Sequence, residues 1–370
     1  MTNPSKVNDS DKPVAVKNNT GGGELFIVDN SDENWKGLRY LEEWTDVAKQ
    51  FDIATGFFEI GSLLALDEPQ LSFKSFDLSI LEFYRNDPRY VYDCDDISGR
   101  ISVTNKHYQS SDMRKVDQVY LQTFGFSFNQ KMNRAVAVFL RYLHDLSPEH
   151  QQIWKAKMLS DEYKMHPDYW ESSMGRWPEG ASIFDAFIEE MQIINDMSKL
   201  MNRPPFFKDT YKESSRPRHF GFLIRPTLKE FNEFVHLLDK MISENINLDF
   251  FQNEISFYDQ KQIIGRQIGR QRKGSLTVLS DWLDASVAFP DREPKEQMIE
   301  DFRVIRKLRQ KPAHLVQEDD FDQKYLEEQR QLLSDAFGSL RALRKLFHFH
   351  SDVKNYEIPV WLEKSKIRLF

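Results

Sequence analysis

From Pro226 to Phe347 apolar residues recur at helical spacing, and the pattern predicts four amphipathic helices. Thr227 can cap the first, which runs to about Asn247 with Phe231, Phe234, Val235, Leu238 and Met241 facing inward. Ser275 can cap the second, through Ala288, with Leu279, Trp282, Leu283 and Val287 on one side. Pro294 suits the first turn of the third, where a missing N–H costs nothing, and Met298, Phe302, Ile305 and Leu308 follow. The fourth begins near Asp322 and carries Leu332, Leu333, Ala336, Phe337, Leu340, Leu343 and Phe347. Two short connections and one longer one imply a four-helix bundle over residues 225–350, with 351–370 as a tail.

Upstream, over residues 69–224, helical and strand periods mix. Tyr90-Val91-Tyr92 and Ile101-Ser102-Val103 predict strands around a turn at Asp95–Gly99. Ala135–Leu146, Gln151–Leu159 and Ser182–Met201 predict helices, with breakers at Pro204-Pro205 and Ser214–Pro217. Residues 1–23 are polar, end in Gly21-Gly22-Gly23 and predict a disordered tail. Residues 24–68 begin with the strand Leu25–Val28, continue with a helix over Leu38–Phe51 and return to a strand over Phe51–Phe58, a small α/β unit. The expected class is α+β, mainly α.

Composition narrows the functions open to this chain. With 29 Phe, 13 Tyr and 7 Trp in 370 residues it can bury a large core. A formal net charge of −8 excludes coating of nucleic acid through overall charge, and leaves only local basic patches for that role. One cysteine, Cys94, excludes an intramolecular disulfide and a Cys-rich zinc site, as a reducing compartment favours. No apolar run approaches the roughly 18 residues of a membrane span, and the N-terminus lacks the apolar stretch of a secretory signal. A cytoplasmic protein without membrane contact is expected.

The string ELFIVDNSDENWKGLRYLEEWTDVAKQFDIATGFFEIGSLLALDE, residues 24–68, resembles the opening of the phospholipase D-like domain at the head of some bacterial helicase-type proteins. The catalytic His-x-Lys signature of that superfamily is absent, as is any G-x-x-x-x-G-K-[ST] phosphate loop. The resemblance therefore implies a fragment without phosphodiesterase chemistry.

Between the third and fourth helices the chain reads Arg306-Lys307-Leu308-Arg309-Gln310-Lys311-Pro312-Ala313-His314. This resembles the R-x4-6-H motif of HEPN ribonucleases, and the wider stretch from about residue 70 to the last helix resembles a bacterial family that ends in the motif. The resemblance implies a metal-independent, cofactor-free endoribonuclease, with Arg309 on phosphate, His314 as acid/base and Gln310 in the supporting polar position. It also implies a site completed across a homodimer, and a role in toxin or phage defence.

Spacing alone does not select this pair, because Arg100/His107, Arg341/His348 and Arg344/His350 satisfy it too. Position does. Five residues along an ideal helix separate two side chains by about 140°. Pro312 disfavours helical geometry at Lys311, so His314 can swing towards Arg309. RNA brings its own 2′-OH nucleophile, so an imidazole and a guanidinium suffice. Two readings stay open: the nuclease, and a non-catalytic helical interaction module in which Arg309 pairs with an acid such as Glu318 or Asp319.

Lys261, Arg266, Arg270, Arg272 and Lys273, without an intervening acid and punctuated by Gly265, Gly269 and Gly274, predict a basic loop. With Arg306 they are candidate contacts to an RNA backbone, or else a solvated surface. Asp93, Asp95 and Asp96 lack a twelfth-position Glu and predict a turn rather than a calcium loop. No metal site is expected, His348-Phe349-His350 having no further ligand at suitable spacing.

Overall fold

The computed structural model describes residues 72–370, apart from 111–112, 161, 213–214, 264–266, 289 and 311–317. The expected tail over 1–23 and the α/β unit over 24–68 lie outside the described residues. The unit Phe73–Phe370 has mixed α and β structure, a sheet half followed by a helical half.

The sheet half opens with β1 (Phe73–Phe76), the short helix α1 (Ile80–Arg85), β2 (Tyr90–Cys94) and β3 (Ser98–Val103). β2 and β3 form the expected hairpin. Its turn is closed by Asp95 Oδ1, which accepts the N–H groups of Ile97 and Ser98 at 2.7 Å each. Asp95 and Asp96 thus stand in the turn while Asp93 stands on β2, and Asp96 pairs with Arg368 at 2.8 Å. Then follow α2 (Asn105–Tyr108), β4 (Tyr120–Phe128), β5 (Arg134–Phe139), α3 (Leu140–His144), α4 (Pro148–Lys155), β6 (Lys164–Met165) and α5 (Pro167–Ser173). The strands are ordered β1-β5-β4-β3-β2, all antiparallel, and β6 pairs with the end of β4.

β5 corrects the helix expected over Ala135–Leu146: only Leu140–His144 is helical. Ala135 through Phe139 are all buried because both faces of this inner strand are covered, so the run carries no alternation to betray it. One face packs on α1 and α4. The other packs on α5, where Ile97, Phe139 and Tyr169 make a small separate cluster. Gly125 of β4 admits this packing. A Cβ there would lie 2.1 Å from Cγ and Cδ1 of Tyr169. Gly125→Ala is therefore expected to cost about 1–3 kcal/mol, read from the urea midpoint. A loss below about 0.5 kcal/mol would show that α5 shifts freely.

The helical half begins after β7 (Ala181–Ser182) with α6 (Ile183–Leu200). Ser182, expected as the first residue of this helix, caps it instead by accepting the Asp185 N–H. α7 (Leu228–Ile242) is capped by Thr227 in the same way. β8 (Tyr258–Ile263) and β9 (Gln267–Arg272) follow, then α8 (Ser275–Ser286), α9 (Glu293–Gln310) and α10 (Lys324–His348). The chain closes with α11 (Val360–Glu363) and β10 (Ile367–Arg368), the latter parallel to β7.

All four expected helices are present, and α6 adds a fifth. It lies along α10, while α9 packs on both α10 and α7. A buried ion pair, Glu190 to Arg344, crosses the α6–α10 seam. One continuous hydrophobic cluster joins Phe126 and Trp154 of the sheet half to Phe234, Phe302 and Phe347 of the helices. Among the described residues no helix is long and apolar enough to cross a membrane.

Candidate functional site

α9 buries Phe302 and Ile305, and this fixes where its last turns face. Arg306 and Arg309, one turn apart, come against the C-terminal turn of α7. Arg309 Nη1 donates to Asp239 Oδ2 at 2.6 Å and to Glu244 Oε1. Arg306 Nε lies 3.8 Å from the other Asp239 oxygen, Oδ1, which is buried and has no hydrogen-bond partner. Asp239 is 0% exposed, against 26% for Arg309. Two carboxylates at a helix C-terminus are opposed by its dipole, and the two guanidiniums offset that charge. Arg309 in turn holds the Glu244 carboxyl below the usual range.

The third wall is the start of α8. A Cβ on Gly274 would lie 3.7 Å from Arg306 Nη1, and Ser275 Oγ donates to the carbonyl oxygen of Ser243 at 2.5 Å. Ser275 therefore ties α8 to α7, and Gly274 holds the N-terminal position expected of Ser275. Arg306, Arg309, Asp239 and Glu244 form a charged joint among α7, α8 and α9. His236, exposed one turn before Asp239, is held below the ordinary histidine value by partial desolvation, then by Lys240 and Arg309. Gln310 is exposed at the last position of α9, and His314 lies outside the described residues.

Neither Glu318 nor Asp319 takes the role expected of it. Asp319 Oδ1 instead accepts the Lys229 N–H at 2.8 Å, closing the start of α7. The true partners were legible in principle. Asp239 falls four residues after Val235 and eight after Phe231, an acid on the apolar face of its helix.

The other Arg–His pairs serve structure. Arg344 is buried against Glu190, and Arg341 donates to Ser365 Oγ and the Glu363 carbonyl. Arg100 pairs with Asp93 at 3.2 Å, while His107 Nδ1 hydrogen-bonds Thr104.

The basic segment expected as a loop is an antiparallel ribbon, β8 against β9, with Lys261 opposite Gly269. Pairing across strands is a non-local property that glycine content masked. Arg270 and Arg272 are exposed on β9. Lys273 is an anchor, bound to Asp281 at 2.6 Å and Asp259 at 3.3 Å. Arg266 lies outside the described residues. Among the described residues no group of three or more His, Cys, Asp or Glu side chains could hold a metal ion.

Comparison with protein-family models, with curated proteins and with solved structures finds no match to this chain.

Proposed function

We propose that the chain is a non-catalytic helical interaction module associated with nucleic-acid machinery, its bundle half docking a partner or a second copy. The observation that carries this reading is the engagement of Arg309 by Asp239 and Glu244. A guanidinium that binds a scissile phosphate must offer uncompensated positive charge. Here two carboxylates already take it up, and each would repel an incoming phosphate by about 4 kcal/mol at 4 Å and an effective dielectric of 20. The contact to nucleic acid then falls to exposed bases such as Arg270 and Arg272 on β9, as backbone contacts without sequence readout.

The HEPN-type endoribonuclease is the reading this proposal sets aside, and one experiment separates them. Purified wild type, His314→Ala and Arg309→Ala are incubated with total RNA in EDTA, and the ends are tested for 2′,3′-cyclic phosphate. The expected result is no cleavage dependent on His314. Arg309→Ala instead lowers stability by about 1–3 kcal/mol, because the buried Asp239 carboxylate loses its hydrogen bond. RNA cut by wild type and spared by His314→Ala overturns the module and restores the nuclease.

A further inference from the structure

Away from the α7–α9 joint, a cavity of about 470 Å³ opens between β2 and the segment 216–222. Four arginines line it, Arg85, Arg100, Arg216 and Arg218, with His219 between them and Asp93 as the one acid on the wall. Three of the guanidiniums have a carboxylate partner. Arg85 Nη2 donates to Glu230 at 2.8 Å, Arg216 Nη1 to Asp185 at 2.6 Å, and Arg100 sits 3.2 Å from Asp93.

Arg218 differs. It donates to the carbonyl oxygens of Asp87 at 3.0 Å and Pro88 at 3.4 Å, and among the described residues it has no carboxylate partner. Carbonyls orient a guanidinium without cancelling its charge. A guanidinium left without a carboxylate, beside three paired ones in one cavity, is what an oxyanion would satisfy.

We propose that this cavity binds the phosphate group of a small, nucleotide-sized phosphorylated ligand. Its volume falls in the range of small-molecule sites, about 300–1,000 Å³, and Val91 and Tyr92 give it an apolar side for the remainder of such a ligand. A polynucleotide is the less favoured source of the phosphate, because a net charge of −8 works against holding a polyanion through overall charge. The site is separate from Arg309 and does not rest on the module reading.

His219 gives the site a pH signature. Facing it are Arg85 of α1, Glu230 and Glu233 of α7, and Arg218 of its own segment; partial desolvation, then Arg85, holds its pKa below the ordinary histidine value. A bound dianion raises that pKa. Binding therefore takes up a proton, and affinity falls as pH rises.

The test is calorimetric titration of the full chain with inorganic phosphate, sulfate, AMP and a 5′-phosphorylated single-stranded oligonucleotide. Saturable binding of phosphate and AMP is expected, with affinity weakened at least tenfold in Arg218→Ala and unchanged in Arg303→Ala on the exposed face of α9. Sulfate, whose own charge is constant between about pH 5 and 8, should bind more weakly at the upper end in wild type but not in His219→Gln. Circular dichroism checks that Arg218→Ala is folded. If it is not, the wild-type titration decides alone. Absence of saturable phosphate and AMP binding overturns the proposal, as does a folded Arg218→Ala that binds like wild type, or binding of the oligonucleotide without AMP.

Discussion

Glu190→Ala is expected to lower the free energy of unfolding by about 3–5 kcal/mol, while a double replacement of Glu190 and Arg344 by Met restores most of it. Glu190 is 0% exposed and Arg344 4%, so neither charge has water to fall back on. Arg344 Nε donates to Glu190 Oε2, but the other carboxylate oxygen is buried without a partner. Burial accordingly raises the Glu190 pKa despite the neighbouring guanidinium. The sign follows: for Glu190, burial outweighs the pull of the guanidinium, and the ionised carboxylate is less favoured in the fold than in water. Removing one partner strands the other charge, whereas removing both leaves a seam that apolar side chains can fill. Urea midpoints of Glu190→Met, Arg344→Met and the double Met variant measure the cycle, with Glu190→Ala beside them. A double variant as unstable as Glu190→Ala would mean the pair is a net source of stability, against this account.

This pair also marks where the sequence stopped being readable. Thr227 announced α7 and the apolar stripe over Ser182–Met201 announced α6, because a cap and a helical stripe are local signals. That α6 would lie along α10 was not legible, since Glu190 and Arg344 are 154 residues apart. Ala135–Phe139 failed differently: a strand buried on both faces shows no period, and its adjoining helix lent it a helical look. For the candidate site, the placement of Arg309 at the end of a helix was readable, but its partners were not. Nearness in sequence favoured Glu318 and Asp319, whereas helix packing delivered Asp239 and Glu244. Arg218 escaped notice because its distinction is the absence of a carboxylate partner among the described residues, which only the fold reveals. The same fold turns Arg341 and Arg344 from pattern matches into structural residues.

Trp154→Ala should destabilise the protein by about 3–5 kcal/mol, the usual cost of truncating a buried tryptophan. Trp154 is 1% exposed on α4, edge-on to Phe76 at 5.0 Å and stacked with Tyr84 at 6.2 Å, so it pins α4 and α1 to the sheet. It also starts a buried hydrogen-bond chain. The indole Nε1–H donates to Tyr84 Oη at 2.9 Å, and the same oxygen is hydrogen-bonded to His150 Nδ1, also at 2.9 Å. The other ring nitrogen, Nε2, faces Asp117 Oδ1 at 3.8 Å. Burial keeps His150 below the ordinary histidine value and Tyr84 above the ordinary tyrosine value, so the chain stays neutral near pH 7. Tyr84→Phe breaks the chain in the middle while keeping the ring, and leaves the indole N–H and the imidazole nitrogen unpaired at a cost of about 1–3 kcal/mol. Because Trp154 and Tyr84 share both a ring contact and a hydrogen bond, the double variant should be more stable than the sum of the single losses implies. Strict additivity in chemical denaturation, or a loss under about 1.5 kcal/mol for Trp154→Ala, would show that α4 packs on the sheet without depending on this chain.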